Sequence, residues 1–168
     1  MLTLRPFNLH TDFPTLRSWI ADERAHALWC ANRFIFPLEE ESFESALAAM
    51  AEKSGDVPFA AVDGEGEVTG FFVYAFDGET REGLLKFVIV DPEKRGQGLG
   101  REMMLLAVRY AIEVGGARAV RLNVFSVNEP AKRCYERAGF VERRTDADAF
   151  AFREERWGRC NMVITREQ

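Results

Sequence analysis

Between Val90 and Arg101 an apolar run meets a turn carrying glycines at alternate positions, Gly96, Gly98 and Gly100, and opens straight into a helical pattern. A strand, a tight glycine turn and a helix in immediate succession leave few folds available. The pattern from Leu99 to Val114 places Leu99, Met103, Leu106, Tyr110, Ala111 and Val114 on one stripe, and Gly115-Gly116 supplies the stop. Val120, Leu122 and Val124 then alternate with polar residues as a strand. A strand from Leu84 to Val90, this helix and this second strand predict a right-handed crossover that sets the two strands parallel.

The rest of the chain surrounds that unit with antiparallel structure. Leu2 and Leu4 alternate with polar neighbours as a strand closed by Pro6. Thr11 or Asp12 caps a predicted helix over Pro14 to Ala21, followed by helices over Glu23 to Cys30 and Pro37 to Lys53, with a Phe-rich loop between the latter two. Strands over Pro58 to Val62 and Val68 to Phe76 join the central strand through Asp63-Gly64 and Asp77-Gly78 turns. Asn128 and Gly139 bound another helix, and Phe140 to Arg144 and Cys160 to Thr165 read as closing strands with an unassigned segment between them. The expected fold is α/β, with a mixed, mostly antiparallel sheet of six or seven strands, a central parallel pair and flanking helices, in one domain over residues 1–168.

Glycines at such spacing free successive backbone N–H groups to converge on one anion, and the helix start adds unpaired donors and partial positive charge. Two familiar phosphate motifs do not fit. A P-loop requires Lys-Ser/Thr after its last glycine, where Arg101 and Glu102 stand, and a dinucleotide fingerprint requires a further small residue at Arg101 or Met103. The pattern Arg/Gln-x-x-Gly-x-Gly/Ala does fit, at Arg95, Gly98 and Gly100. A second block, Asn128-x-x-Ala131-x-x-x-Tyr135-x-x-x-Gly139-Phe140, follows after one helix and one strand. Together the blocks resemble the coenzyme A loop and downstream helix of the GNAT superfamily of N-acetyltransferases, and element order extends the likeness over nearly the whole chain. The N-terminal Trp19, Trp29 and Pro37 and the ending Trp157-x-x-Cys160-Asn161-Met162 look like the branch that holds ribosomal-protein amino-terminal acetyltransferases.

The resemblance implies acetyl transfer from acetyl-CoA, a co-substrate, directly to a primary amine of a small molecule or a protein amino terminus. It assigns the amides of Arg95, Gly96, Gln97, Gly98, Leu99, Gly100 and Arg101 to the diphosphate, the backbone of Val88 and Val90 to the pantetheine arm, and Asn128, Ala131, Lys132 and Tyr135 to further cofactor contact. Tyr135 is the implied general acid for the leaving thiolate. A phenol of reference pKa ~10 gives its proton to a thiolate of ~8.5 uphill unless the site shifts one of them. The strand centre Leu84-Leu85-Lys86-Phe87-Val88 holds no carboxylate, so the candidate base is Glu82, which shares strand parity with Leu84 and Val88. Trp29, Phe34, Phe36 and Trp157, with Asp22, Glu23, Asp146, Asp148 and Glu154, are candidates for an amine-binding pocket. A catalytically silent acyl-CoA-binding module and a domain for another nucleotide remain the alternatives, and Tyr135 disfavours the first.

A net charge of −5 argues against a nucleic-acid surface and suits a cationic acceptor. Cys30, Cys134 and Cys160 form no paired spacing, and His10 and His26 are the only histidines, so neither a disulfide framework nor a metal site is expected. Free thiols, no signal-like start and no apolar run of ~20 residues place the chain in the cytoplasm without a membrane partner. An exposed C-terminal edge strand makes a homodimer an open expectation.

Overall fold

The computed structural model describes residues 1–165. The order is β1 (Thr3–Pro6), α1 (Leu9–Ser18), α2 (Glu23–Cys30), α3 (Glu40–Ser54), β2 (Val57–Val62), β3 (Val68–Asp77), β4 (Glu82–Val90), a short 3-10 turn (Pro92–Lys94), α4 (Leu99–Glu113), β5 (Ala119–Phe125), α5 (Glu129–Arg137), β6 (Val141–Phe152) and β7 (Glu155–Thr165). The seven strands form one sheet ordered β1-β2-β3-β4-β5-β7-β6. Only β4 and β5 run parallel, as the crossover demands; every other neighbouring pair is antiparallel. Among the described residues no helix is long and apolar enough to cross a membrane.

Successive residues of β3 feed opposite cores, which is why its apolar run is unbroken. Phe72 and Tyr74 join Leu85, Met103, Met104, Val120, Leu122 and Phe140 beneath α4 and α5. Phe71 and Val73 join Phe13, Leu16, Phe43, Phe87 and Ile89 beneath α1 and α3. Phe71 and Phe72 are both fully buried, and truncating such a phenylalanine to Ala costs about 3–5 kcal/mol. A third cluster, Ala27, Phe125, Phe152 and Trp157, joins α2 to the β6–β7 hairpin.

Helix α1 begins earlier than Pro14, because Asn8 caps it: Asn8 Oδ1 accepts from Thr11 N, while Asp12 accepts from the Asn8 N–H at 2.7 Å and from Arg5 at 2.7 and 2.9 Å. This reciprocal arrangement satisfies the first turn's free donors. Helix α3 starts at Glu40 rather than Pro37, with Gly55 in the left-handed conformation as its stop. Val114 lies outside the apolar stripe of α4 and is 71% exposed. The unassigned C-terminal segment is the turn end of the β6–β7 hairpin, whose register shifts twice, between Glu142 and Arg144 and between Asp146 and Phe150. Strand β6 is one sheet edge and exposed over most of its length.

Candidate active site

One extra residue in β4 opens the site. Phe71 pairs with Ile89 and Val73 with Lys86, so β4 advances three positions while β3 advances two. Phe87 absorbs the surplus at φ +53°, a left-handed conformation that a bulky residue adopts only under tertiary constraint. The bulge exchanges the strand's faces. Before it Leu85 points into the α4 core; after it Val88 and Val90 do, while Phe87 and Ile89 enter the opposite core. The parallel ladder to β5 stops at Leu85↔Leu122, and β5 continues with β7 alone. The gap is the mouth of a cleft of about 850 Å³, walled by Leu84 to Val90 and by Asn123 to Phe125. Trp29 of α2 fixes one side, donating its indole N–H to the Phe87 carbonyl at 2.8 Å.

The glycine turn lies at the same mouth. Gly96 (φ +81°) and Gly98 (φ +79°) take conformations that disfavour side chains, and a Cβ on either would meet no protein atom within 4 Å. Both glycines are exposed and line the cleft. Gly98 is the N-cap of α4 and offers no side-chain acceptor, whereas α1, α2 and α5 are capped by Asn8, Asp22 and Asn128. The first N–H groups of α4 are therefore left for an outside anion. Gly100 has another purpose: a Cβ there would come within 2.9 Å of Cys134 Sγ, so its absence lets α4 approach α5. Lys94, Arg95, Arg101, Arg133 and Arg137 surround this end, and Arg101 is held by donating Nε to the Arg137 carbonyl at 3.0 Å.

Helix α5 brings Asn128, Ala131, Cys134 and Tyr135 to the cleft. Asn128 Oδ1 caps the helix by accepting from Ala131 N, which leaves its Nδ2 to donate elsewhere. Tyr135 is 8% exposed, and burial pushes its phenol above the ordinary value, with the neighbouring Cys134 adding to the shift. Its proton is therefore held at neutral pH. Val88, Val90, Arg95, Gly96, Gly98, Leu99, Gly100 and Arg101 also line the cleft.

Two expected site residues lie elsewhere. Glu82 stands at the far end of β4, and the bulge puts it on the opposite face from Val88, cancelling the parity read from the sequence. It is buried and clamped by Arg143 (3.0 Å), Arg121 (2.9 Å) and Arg118 (3.5 Å). Arg143 foremost, then Arg121, outweigh burial and hold its carboxyl below the usual range. A clamped anion with three partners is no base for an amine in the cleft. Lys132 turns outward to Glu142 at 2.8 Å; Gln97 keeps its place in the turn between Gly96 and Gly98, though it is not among the lining residues. Arg133 faces the cleft in place of Lys132.

Of the amine-pocket candidates Trp29 lines the cleft, while Phe34 is stacked beneath it and Trp157 is buried between Phe150 and Phe152. Phe36 stands away from the lining. The acids serve elsewhere: Asp22 caps α2, Glu23 pairs with Arg153, Asp148 pairs with Arg156, and Asp146 accepts from the Asp148 N–H. Glu154 is exposed at the hairpin tip. Arg33, Asn123, Arg137 and Arg159 line the cleft unannounced by any motif. The polar slot of Asn123 in an alternating strand was the one local signal. Among the described residues no group of His, Cys, Asp and Glu is arranged to hold a metal.

A profile described as the acetyltransferase (GNAT) family matches residues 14–140. The chain is 31% identical over 107 residues to a streptothricin acetyltransferase of Streptomyces lavendulae, covering 64% of this chain and 56% of that protein. It is 32% identical over 147 residues to a mycothiol acetyltransferase of Arthrobacter sp. (strain FB24), covering 82% and 45%. The chain thus spans about half the length of these curated relatives. A spermidine N-acetyltransferase from Vibrio cholerae, solved with CoA and spermine, shares the fold at a TM-score of 0.83 and 19% identity, covering 98% of this chain and 95% of that one.

Proposed function

Because this chain belongs to the acetyltransferase (GNAT) family, we propose that it transfers an acetyl group from acetyl-CoA directly to a primary amine, of a small molecule or a protein amino terminus, in the cytoplasm. The observation that carries this reading is the uncapped start of α4, open above Gly96 and Gly98, sharing one cleft with the Tyr135 phenol. The residues fit the co-substrate. The amides from Arg95 to Arg101 and the surrounding arginines receive the diphosphate. The unpaired edge of β4 beyond the bulge takes the pantetheine arm as an added strand.

In the reaction the amine nitrogen bonds to the thioester carbonyl carbon and the carbon–sulfur bond breaks. The ammonium proton leaves to solvent, and Tyr135 gives its proton to the departing sulfur before being reprotonated from water. Burial makes that donation more uphill than for a free phenol. No Asp, Glu or His among the described residues lines the cleft, so the amine must arrive neutral. Positioning between the splayed strands then supplies most of the acceleration.

The test is release of CoA thiol from acetyl-CoA with a panel of amines, followed by mass measurement of the products. An N-acetylated amine formed in step with thiol supports the reading, and kcat/KM should rise with pH up to the acceptor's own pKa. Thiol release without acetylated amine contradicts direct transfer.

A further inference from the structure

Although the chain carries a net charge of −5, its cleft is lined by Lys and Arg and, among the described residues, by no Asp or Glu. Most of this positive charge surrounds the glycine turn, where diphosphate accounts for it. Lys86 is neutralised by Asp56 at 2.6 Å. Arg33 and Arg159 are different. Arg33 follows α2, and Arg159 stands on β7 in register with Phe125, on the face that α2 covers, away from α4 and α5.

Most acids of the flanking elements are already in ion pairs, and none of them lines the cleft. Glu155 pairs with Arg24, Glu23 with Arg153 and Asp148 with Arg156. Asp146, the cross-strand neighbour of Arg159, accepts from the Asp148 N–H instead. A third group at this end is also a donor. Arg143 Nε, which can only donate, bonds Asn161 Oδ1 at 2.8 Å; Asn161 Nδ2 therefore donates to Asn123 Oδ1 at 2.9 Å, leaving Asn123 Nδ2 for the cleft. Two guanidinium groups and an amide donor thus line this part of the cleft with no carboxylate in the lining to oppose them, a donor set suited to an anion.

Resting on the acetyl-transfer reading above, we propose that the acceptor is a primary amine carrying its own acid group, a carboxylate or a phosphate, held by Arg33 and Arg159. The same charges make a polyamine a poor acceptor, since each of its ammonium groups would face like charge. They also lower the pKa of the bound amine, which keeps the nucleophile neutral in a cleft without a base. Trp29, Phe125 and Phe150 give the spacer between amine and acid an apolar bed.

The experiment compares kcat/KM for aminocaproate against aminocaproamide and for phosphoethanolamine against ethanolamine, with spermidine beside them and acetyl-CoA binding measured calorimetrically. The expected result is a preference of roughly tenfold for one or both acid-bearing partners over their neutral counterparts and over spermidine. Arg33→Gln with Arg159→Gln should erase that ratio through the acceptor's KM while the acetyl-CoA KM stays unchanged, and Arg→Lys should restore part of it. A merely structural role would depress all acceptors equally. Equal or reversed preference, a preference that survives the double variant, or bound acetyl-CoA with no panel member acetylated overturns the acid-bearing acceptor alone. Failure to bind acetyl-CoA overturns the acetyl-transfer reading itself.

Discussion

The two walls of the cleft are made from different kinds of chain. The cofactor wall is nearly continuous in sequence: Val88 to Arg101, then Asn128 to Tyr135, with recognition through backbone amides freed by Gly96 and Gly98. The facing wall is assembled from α2, the loop after it and the β6–β7 hairpin, over 100 residues apart in the chain, and works through the side chains of Trp29, Arg33, Phe150 and Arg159. A backbone cradle suits a group common to every turnover. Side chains on separable elements suit a partner that differs from one relative to the next, because each can be exchanged without disturbing the fold.

The sharpest way to break this contrast is Gly98→Val, which forces a β-branched side chain into φ +79° and fills the ligand space. Acetyl-CoA affinity should fall by roughly a thousandfold, beyond calorimetric detection, while the circular dichroism spectrum is kept; tight binding by the variant would remove the cradle. Next, Tyr135→Phe should lower kcat about 10- to 1000-fold with acetyl-CoA affinity intact. In the native enzyme any alkaline limb due to this phenol should lie above its ordinary 10, and an unchanged kcat in the variant would end the acid role.

Glu82→Gln tests whether the foot of β4 belongs to either wall. It should cost roughly 1–3 kcal/mol by removing the buried charge on which three partly exposed arginines converge, and leave the pH profile of kcat/KM unaltered. The depressed native carboxyl means that its contribution is present above its ordinary 4.5 and is lost as pH falls through the lower folded value. Denaturant titrations of the two proteins should therefore converge below pH 4.5. A displaced pH–rate profile would return Glu82 to the chemistry. The smallest effect belongs to Lys132→Ala, since the ammonium faces Glu142 rather than the cleft; acetyl-CoA affinity should stay within about twofold, and a tenfold loss would place Lys132 at the cofactor.

The same contrast explains what was legible in the sequence. Glycines at a turn, Asn128 as a cap and the apolar stripe of α4 act over a few residues, so they announce themselves locally. The crossover and the parallel pair follow from those elements by chirality alone. The bulge at Phe87 does not. Nothing in Leu85-Lys86-Phe87-Val88 marks a left-handed residue; the Trp29 indole and the aromatic core hold it there, and so the parity of Glu82 was misread. Strand β6 lacks apolar alternation because it is an exposed edge with two register shifts, which hid the hairpin that carries Arg159. Arg33 and Arg159 are ordinary surface arginines in one dimension and come to line one cleft only when α2 and β7 meet around the Phe125 cluster.

The most direct measurement is a calorimetric titration of the folded protein with acetyl-CoA, run beside CoA and ATP. The cradle at Gly96 to Arg101 predicts saturable, micromolar binding of acetyl-CoA and CoA with ATP much weaker. A folded sample that binds neither CoA compound, or that prefers ATP, would contradict the assignment of the cofactor wall.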